Sequence, residues 1–297
     1  MALQRKLDNG TLFTHREGVL YVEHCRVVAS DGLLAFVRSD NALEKHYSIP
    51  HANVCVLLLG PGTSMTHQAA RKMGEQGMMF GFVGGGGTPL FVASQSEYRP
   101  NQYCQSWVAQ WASLEWRLST AKKMADARCD FVEAWYRRKK IASTASDAII
   151  ASYRADIQKA IAGSELLGYE AAFAKRLYAF HSTRVTSGKF KRTPQGDDAI
   201  NGFIDNGNYL AYGISASVLW VLGIPHSFAV SHGTTRRGAL VFDLADIIKD
   251  AVLLPIAFDA GAAGLKEQEH RALCLTALDE SGVMKLLFGY VKEWCEK

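Results

Sequence analysis

The sequence contains no Cys-x-x-Cys pair, because its cysteines stand apart at positions 25, 55, 104, 129, 274 and 295. Zinc ribbons take their ligands from such pairs, so this class is excluded, and we expect reduced thiols in an intracellular protein. The first fifteen residues lack the apolar stretch of a secretory signal. No uninterrupted apolar run approaches the ~20 residues that span a bilayer. We therefore expect a cytoplasmic protein without a membrane segment.

The chain also lacks a large excess of either charge. Its formal net charge is +4 over 297 residues, and charged residues make up 21% of the total. This composition is globular rather than disordered, and the net charge alone does not indicate a nucleic-acid partner. The hydrophobic content of 48% is enough for one large domain or two smaller ones.

The N-terminal third of the chain is predicted to be rich in β-strands. "GVLYVEHCRVVAS" and "GLLAFVRSD" carry β-branched and aromatic residues, and Asp31-Gly32 marks a turn between them. "NVCVLLLG" is a continuous apolar run, which is typical of a strand buried on both faces. From Tyr103 onward the apolar period becomes helical. We predict an α+β protein in which a small β-rich domain (residues 1–95) and a linker (96–102) precede a larger all-α domain (103–297).

A Gly-Pro-Gly turn at residues 60–62 follows the buried strand. It resembles a phosphate-cradling loop, but it lacks the lysine of a P-loop and the third glycine of a Rossmann motif. The alternative is a tight crossover from a strand to a helix. The helix after it is predicted to have Thr63 or Ser64 as its N-cap and to end before Gly77.

Positive charge is concentrated in three clusters of the helical region. They are Arg137, Arg138, Lys139 and Lys140; Lys189, Lys191 and Arg192; and Arg236 and Arg237. Clustered cations neutralise phosphates and release counterions, which favours a nucleic-acid backbone. The alternative for any one cluster is a solvated helix end, where the helix dipole favours cations. The presence of three clusters makes DNA or RNA the preferred interpretation.

A histidine and a row of aspartates occur close together in "SHGTTRRGALVFDLADIIKDA". His232 lies on a predicted turn, and Asp243 and Asp246 share one face of the helix that follows. Asp250 is in position to extend this row. Like charges at such spacing repel, so the row needs a cation, which either Lys249 or a divalent metal would supply. Oxygen ligands with one imidazole suit Mg²⁺ or Mn²⁺; the alternative is an ordinary surface helix.

Glu170 supplies a further carboxylate within "GSELLGYEAAFAKRLY". Its immediate neighbours are mostly apolar, and a buried carboxylate is costly unless a partner or a metal binds it. The alternative is that Glu170 points to solvent beside Lys175 and Arg176. Glu165, near the start of the same helix, is a weaker candidate, because the helix dipole alone explains a carboxylate there.

These motifs occur in the order found in a known protein family. The segments that carry the likeness are "LLLGPGTSMTHQAARKMGEQG", "GYEAAFAKRLY", "DNGNYLAYGISASVLWVLGIPHSFAVSHG" and "RRGALVFDLAD". Over most of its length the chain resembles the CRISPR-associated integrase/endonuclease of spacer acquisition, the first protein of the Cas series. The likeness is strongest to the type I-F branch of that family.

The resemblance implies a role for each matching residue. Glu170, His232 and Asp246 would bind a divalent metal, Mg²⁺ or Mn²⁺, and Asp243 would be an auxiliary acid beside them. It also implies a homodimer formed through the β-rich domain, double-stranded DNA as substrate, and the second protein of the Cas series, fused to the helicase-nuclease, as partner. The implied activity is antiviral: a 3′-hydroxyl of a captured DNA fragment attacks a phosphodiester and joins the fragment to a CRISPR array as a new spacer.

Other functions are compatible with the same residues. A branched-DNA repair nuclease would cut without joining, and a non-catalytic DNA-binding scaffold would use the acids only for helix packing. A small-molecule metal hydrolase is a weaker third interpretation, because the dispersed cationic surface suits a polymer. In the DNA-binding interpretations, Arg236 and Arg237 are candidates to grip the phosphates near the cut, since they follow His232 closely.

Removing the charges of Lys139 and Lys140 should weaken DNA binding and flatten its salt dependence. For each phosphate that the variant no longer neutralises, the logarithmic salt slope should fall by about 0.9, because fewer counterions are released. Affinities measured at several salt concentrations check this expectation. An unchanged slope would show that this cluster faces away from the DNA.

Overall fold

The computed structural model describes residues 18–30, 32–40, 43–50, 53–83, 89–93, 101–185, 190–196, 198–233 and 238–296. The strands come first and are β1 (Gly18–Val22), β2 (Arg26–Ser30), β3 (Leu33–Asp40), β4 (Leu43–Ser48), β5 (Val54–Leu59), β6 (Ser64–Met65), β7 (Met79–Val83) and β8 (Pro89–Ala93). One helix, α1 (His67–Glu75), lies among them.

The remaining described elements are all helical. They are α2 (Gln102–Trp111), α3 (Leu114–Arg138), α4 (Thr144–Lys159), α5 (Gly163–Val185), α6 (Ala199–Val221), α7 (Ala239–Ile248), a π-helical turn (Lys249–Leu253), α8 (Leu254–Ala262), α9 (Glu267–Ser281) and α10 (Val283–Cys295). The predicted α+β architecture, with a β-rich N-terminal part and a larger helical part, is confirmed. The division into two domains joined by a linker stays a prediction.

Two four-stranded sheets occupy the described N-terminal region, in the orders β1-β5-β7-β8 and β4-β3-β2-β6. β5 pairs in parallel with β1 and β7, so it lies inside its sheet. Val54, Leu57 and Leu59 belong to a hydrophobic core formed by strands of both sheets and α1. Val56 and Leu58 belong to a second core that includes the helices after α1. All six residues of β5 are buried, which confirms the prediction of a strand covered on both faces.

The Gly-Pro-Gly turn at residues 60–62 is shaped by side chains of β1 and of the turn that follows β1. A Cβ at Gly60 would lie 2.1 Å from the hydroxyl oxygen of Tyr21. Gly62 has a φ of +69°, and a Cβ there would lie 2.4 Å from Nδ1 of His24. These close approaches require glycine for steric reasons. These steric requirements explain the glycines without a phosphate, and the turn leads into β6 rather than directly into α1.

The predicted N-cap of α1 is wrong by two residues or more. Ser64 lies in β6, where it pairs in parallel with Arg26 of β2 and the chain is extended. The cap is Thr66, whose side chain accepts a hydrogen bond of 3.2 Å from the backbone N–H of Ala69. The helix ends before Gly77, whose φ is +64°, as predicted.

Serine caps divide the long helical region that follows. α3 begins after Ser113 and α4 after Ser143, and each serine side chain accepts a hydrogen bond from a backbone N–H three residues further on. α3 packs against α4, α7 and the π-helical turn, while α6 packs against α7 and α8. The predicted helices from Tyr103 are therefore confirmed. None of the described helices is long and apolar enough to cross a membrane.

Arg271 of α9 joins the helical part to β1. One guanidinium nitrogen donates to the hydroxyl of Tyr21 and to Oε2 of Glu23, each at 2.8 Å. The other terminal nitrogen donates to Oε1 of Glu267 at 2.8 Å, and the guanidinium lies over the Tyr21 ring. The Arg271 side chain is only 8% exposed. Its removal would leave the largely buried carboxylate of Glu23 with the Tyr21 hydroxyl but without a cation.

Replacing Arg271 with alanine should lower the free energy of unfolding by about 2–4 kcal/mol, because a largely buried carboxylate loses its cation. Arg71→Ala is the matched control, since the Arg71–Glu75 pair is exposed and should contribute at most about 0.5 kcal/mol. Urea denaturation measures both values. Equal decreases in the two variants would show that the Arg271 contacts do not stabilise the fold.

Candidate metal centre

Three potential metal ligands converge from separate parts of the chain. Glu170 comes from α5, His232 from the segment between α6 and α7, and Asp246 from α7. Each offers one ligand atom, and these atoms all lie within 4.8 Å of one another. The three side chains line a cavity of about 30 Å³, which is large enough for an ion and a water molecule.

The face of α7 that carries the aspartates is set by helix periodicity. Asp243 and Asp246 both line the cavity, as their spacing predicts. Leu244, Ile247 and Ile248 are fully buried and pack into the surrounding core. The apolar residues therefore fix the rotation of α7, and this rotation directs the aspartates into the cavity.

Asp243 holds His232 in position. Its Oδ1 accepts hydrogen bonds from the backbone N–H of His232 at 3.1 Å and from Nδ1 of the same residue at 2.7 Å. An ionised carboxylate only accepts hydrogen bonds, so Nδ1 carries the proton, and in the neutral imidazole Nε2 has a free lone pair. Nε2 lies 3.8 Å from Oδ2 of Asp246. This arrangement is the one in which a carboxylate orients a metal-binding imidazole.

Lys249 contacts Asp246 one helical turn further along. Its Nζ pairs with Oδ1 of Asp246, so Lys249, one of the two cations considered for the aspartate row, lies beside it. The other oxygen of Asp246, Oδ2, is buried and has no hydrogen-bond partner among the described residues. An orphaned carboxylate oxygen beside an imidazole lone pair is the environment that a bound cation would satisfy.

Arg128 of α3 is a member of the site that the sequence analysis did not single out. Its side chain is 2% exposed, and one terminal nitrogen lies 3.3 Å from Oε1 of Glu170. Its Nε donates to Oδ2 of Asp250 at 2.8 Å. A signal was available, because Arg128 shares the helix face of the apolar residues Met124 and Phe131, and a cation on an apolar face requires acidic partners.

Contrary to the expectation from the sequence, Asp250 does not extend the row formed by Asp243 and Asp246. It is 2% exposed and lies in the π-helical turn rather than in regular α-helix. Its carboxylate binds Arg128, and it does not belong to the group of potential ligands formed by Glu170, His232 and Asp246. Its contribution to the site is therefore indirect, through the cation that it shares with Glu170.

The two alternatives for α5 are resolved by contacts. Glu170 does not extend to solvent beside Lys175 and Arg176, because its side chain is 18% exposed and pairs with Arg128. Glu165 accepts a hydrogen bond of 2.8 Å from the backbone N–H of Ile161, at the start of the helix. Glu165 is therefore a helix-terminal residue, as its position indicated.

The carboxylates of the site strongly influence one another. Burial, reinforced by the charge of Asp246, raises the pKa of Glu170 to about 7. Burial alone would also raise the pKa of Asp246, but Lys249 and Arg128 outweigh it and hold that pKa below its usual value. For His232, burial opposes protonation, whereas the bond to Asp243 and the charge of Asp246 raise its pKa.

The donor set and its charge balance fit a hard divalent cation. The named groups comprise four carboxylates (Glu170, Asp243, Asp246 and Asp250) and two cations (Arg128 and Lys249). With His232 neutral and all four carboxylates ionised, two negative charges are uncompensated, and a divalent ion would balance them. Two carboxylates with one imidazole are ligands that Mg²⁺ and Mn²⁺ accept.

The first basic cluster lies apart from this cavity. It occupies the end of α3 and the turn after it, so Lys139 lies roughly 16 Å along the helix direction from Arg128. Lys139 pairs with Glu280 at 2.6 Å, and Arg138 donates to the Glu280 carbonyl at 3.0 Å. Arg137 pairs with Glu133 on the same helix. These contacts favour the alternative interpretation, in which the cluster is a solvated helix end. DNA contact by this cluster stays a prediction.

The second and third basic clusters are described only in part. Arg192 pairs with Asp205 and donates to Oδ1 of Asn201 at 2.8 Å, so it serves internal contacts. Lys191 is exposed. Lys189 and the pair Arg236 and Arg237 lie outside the described residues, and their predicted DNA contacts stay predictions.

Comparison with known families and proteins gives one consistent result. The model of the family described as CRISPR associated protein Cas1 matches residues 20–269. A CRISPR-associated endonuclease Cas1 from Pectobacterium atrosepticum is 38% identical over 307 aligned positions, covering 96% of this chain and 94% of the relative. A protein of the same name from Pseudomonas aeruginosa is also 38% identical, covering 96% and 95% of the two chains.

Solved structures share the fold at lower sequence identity. The TtCas1–DNA complex aligns with a TM-score of 0.65 at 20% identity, covering 94% of this chain and 97% of that one. A casposase bound to an integration product gives 0.68 at 14% identity, with coverages of 89% and 82%. A Cas6-RT-Cas1–Cas2 complex gives 0.69 at 12% identity and covers 94% of this chain but 34% of the longer one.

Replacing Glu170 with glutamine should make the metal-free protein more stable above neutral pH. The folded-state pKa of Glu170 is about 7 against an ordinary 4.5, so its stabilising contribution is complete below pH 4.5 and is lost as the pH rises through 7. The variant should exceed the wild type by on the order of 2 kcal/mol at pH 8, and by little at pH 4.

Urea denaturation at a series of pH values, with chelator present, measures this difference. Glu165→Gln removes one carboxylate from the same helix without touching the cavity, and it should reproduce the wild-type pH dependence. If Glu170→Gln also follows the wild-type curve, then burial and the charge of Asp246 do not raise the pKa of Glu170 in the folded protein.

Proposed function

The chain belongs to the Cas1 family of CRISPR-associated endonucleases, and on this premise we propose that it is a metal-dependent DNA endonuclease and integrase. In this proposal it inserts captured foreign DNA fragments as new spacers into a CRISPR array. The observation that carries the proposal is the convergence of ligand atoms from Glu170, His232 and Asp246 within 4.8 Å of one another. The casposase bound to an integration product, which shares the fold, supports strand transfer as the reaction.

Glu170, His232 and Asp246 would hold the cation. A bound divalent ion supplies Lewis-acid polarisation of a phosphate and stabilises charge on the attacking and leaving oxygens. Oδ2 of Asp246 is the oxygen available for binding, because Oδ1 pairs with Lys249. Nε2 of His232 is available because Asp243 engages Nδ1. The protein would therefore present its ligands with their other polar atoms already bonded.

The proposed reaction is a transesterification. The 3′-oxygen of a captured fragment forms a new bond to a phosphorus of the array, and the bond to the existing 3′-oxygen breaks, so the number of phosphodiesters is unchanged. With water as the nucleophile, the same site would hydrolyse DNA instead. Arg128 and Lys249 would hold Glu170 and Asp246 in place while the phosphate is bound, because each cation contacts one of these carboxylates.

The DNA duplex would be held mainly by its backbone. Arg236 and Arg237 follow His232 closely in the chain, so they are the proposed contacts for phosphates near the reacting bond. The clusters that contain Lys139 and Lys191 are proposed as more distant contacts. Such contacts position a duplex without reading its sequence. The TtCas1–DNA complex among the structural neighbours supports DNA as the ligand.

The proposal includes protein partners. A Cas1–Cas2 complex among the neighbours supports the second protein of the Cas series as a partner. We also propose a homodimer formed through the β-rich region, where Leu33 and Tyr47 expose large apolar surfaces. Assignment to the type I-F branch, with Cas2 fused to the helicase-nuclease, is supported by 38% identity to two Cas1 proteins. A repeat array and a fused gene beside the coding sequence would test that assignment.

Glu170→Ala, His232→Ala and Asp246→Ala should each reduce strand transfer by at least about 1,000-fold, because each removes a proposed ligand of the cation. The assay incubates the protein with 3′-hydroxyl fragments, Mg²⁺ or Mn²⁺ and a supercoiled CRISPR plasmid, and it measures joined product. Glu165→Ala is the matched control on α5 and should keep wild-type activity. Circular dichroism establishes that each variant is folded.

The same assay separates the alternative functions. Cleavage of the plasmid without joined product would favour a branched-DNA repair nuclease. Retention of strand transfer by a folded variant that lacks all three ligands would show that the site assignment is wrong. Calorimetric titration of metal addresses the non-catalytic scaffold, since a scaffold should show no metal site that disappears in Glu170→Ala.

A further inference from the structure

Two tryptophans of α2 donate to neighbouring carbonyls of the segment that leads to His232. The indole N–H of Trp107 donates to the carbonyl of Phe228 at 3.0 Å, and that of Trp111 donates to the carbonyl of Ala229 at 2.6 Å. The two residues lie one helical turn apart, so their indoles can reach adjacent carbonyls. We call residues 228–232 the histidine segment.

The other side of the histidine segment is held by Asp243. Its carboxylate accepts the backbone N–H groups of Val230 at 2.7 Å, Ser231 at 3.2 Å and His232 at 3.1 Å. Five successive residues are therefore bonded through their main chain, two to α2 and three to α7. The segment has no regular secondary structure of its own, so these bonds determine where the imidazole lies.

α2 is itself anchored to the body of the protein. Ser106 and Gln110 both donate to the carbonyl of Cys295, at the end of α10. The Trp107 ring is fully buried and makes an edge-to-face contact with Trp116, with ring centroids 5.1 Å apart. Trp111 makes a similar contact with Phe228 at 5.1 Å. The indole donors are therefore held by packing on a fixed helix.

We propose that Trp107 and Trp111 are positioning residues that set the location of His232 at the metal centre through their hydrogen bonds to the histidine segment. This inference rests on the proposed role of His232 as a metal ligand. Neither tryptophan lines the cavity, so they act only through the segment. A ligand on an irregular segment needs such support, because displacement by about 1 Å is enough to weaken a metal site or a reaction.

The test compares the full-length variants Trp107→Phe, Trp111→Phe and their combination with Trp116→Phe. Phenylalanine keeps an aromatic ring but removes the N–H. Trp116 is the matched control, because it packs against Trp107 and its side chain makes no hydrogen bond among the described residues. Calorimetry measures the Kd for Mn²⁺, hydrogen exchange measures the amides of Val230, Ser231 and His232, and near-ultraviolet circular dichroism reports the fold.

The double variant should bind Mn²⁺ about 10-fold more weakly than the wild type, as is usual when the groups that support a metal ligand are removed. Its amides in the histidine segment should exchange at least about 10-fold faster, with or without metal, because the segment opens more readily. Trp116→Phe should stay within about twofold of the wild type in both measurements. If the double variant does not fold, Trp111→Phe is measured against the same expectations, since Trp111 is only partly buried.

The outcomes distinguish this inference from the proposed function. If the wild type binds Mn²⁺, His232→Ala does not, and the tryptophan variants bind like the wild type, the inference is overturned and the metal centre stands. Equal weakening by Trp116→Phe would also overturn it, since ring packing rather than the N–H would then be responsible. If the wild type binds no Mn²⁺, the proposed metal centre fails, and the inference that rests on it fails too.

Discussion

Mutual repulsion between Glu170 and Asp246 is the constraint on which the rest of the site depends. At separations of about 4 Å, two like charges repel by roughly 4 kcal/mol when the effective dielectric constant is about 20. Arg128 pairs with Glu170 and Lys249 pairs with Asp246. The four carboxylates of the site still exceed its two cations in charge when all are ionised. That excess favours a divalent cation in the cavity. The same cation would bind a phosphate of the DNA.

The helices around the cavity can be understood as supports for these charges. α3 brings a fully buried guanidinium through the apolar core, which is tolerated because Asp250 and Glu170 share it. The π-helical turn after α7 is where Lys249 and Asp250 diverge, one contacting Asp246 and the other Arg128. π-helical turns are rare and are often found at functional sites. Removal of Arg128 would leave the buried carboxylate of Asp250 without its cation.

The clusters of basic residues are weaker evidence for DNA contact than the sequence suggests. Lys139 and Arg192 each pair with an acid of the same protein, so their charge is partly used within the fold. By contrast, the histidine segment has no distinctive composition, yet its backbone is bonded to α2 on one side and to Asp243 on the other. The specific geometry of the site therefore depends more on buried hydrogen bonds than on surface charge.

The sequence by itself determined the α+β class, the buried strand β5, most helix positions and the shared face of Asp243 and Asp246, because hydrophobic periodicity is a local property. It indicated Glu170 and His232 as candidates, and the resemblance to a family gave them the role of metal ligands. Only the tertiary structure decided that Arg128 joins the site, that Asp250 serves Arg128, and that Trp107 and Trp111 hold the histidine segment. The bonds from Arg128 to Asp250 and from the two tryptophans to the histidine segment join residues more than 100 positions apart, and no local pattern specifies which distant carbonyl or carboxylate a buried donor will meet.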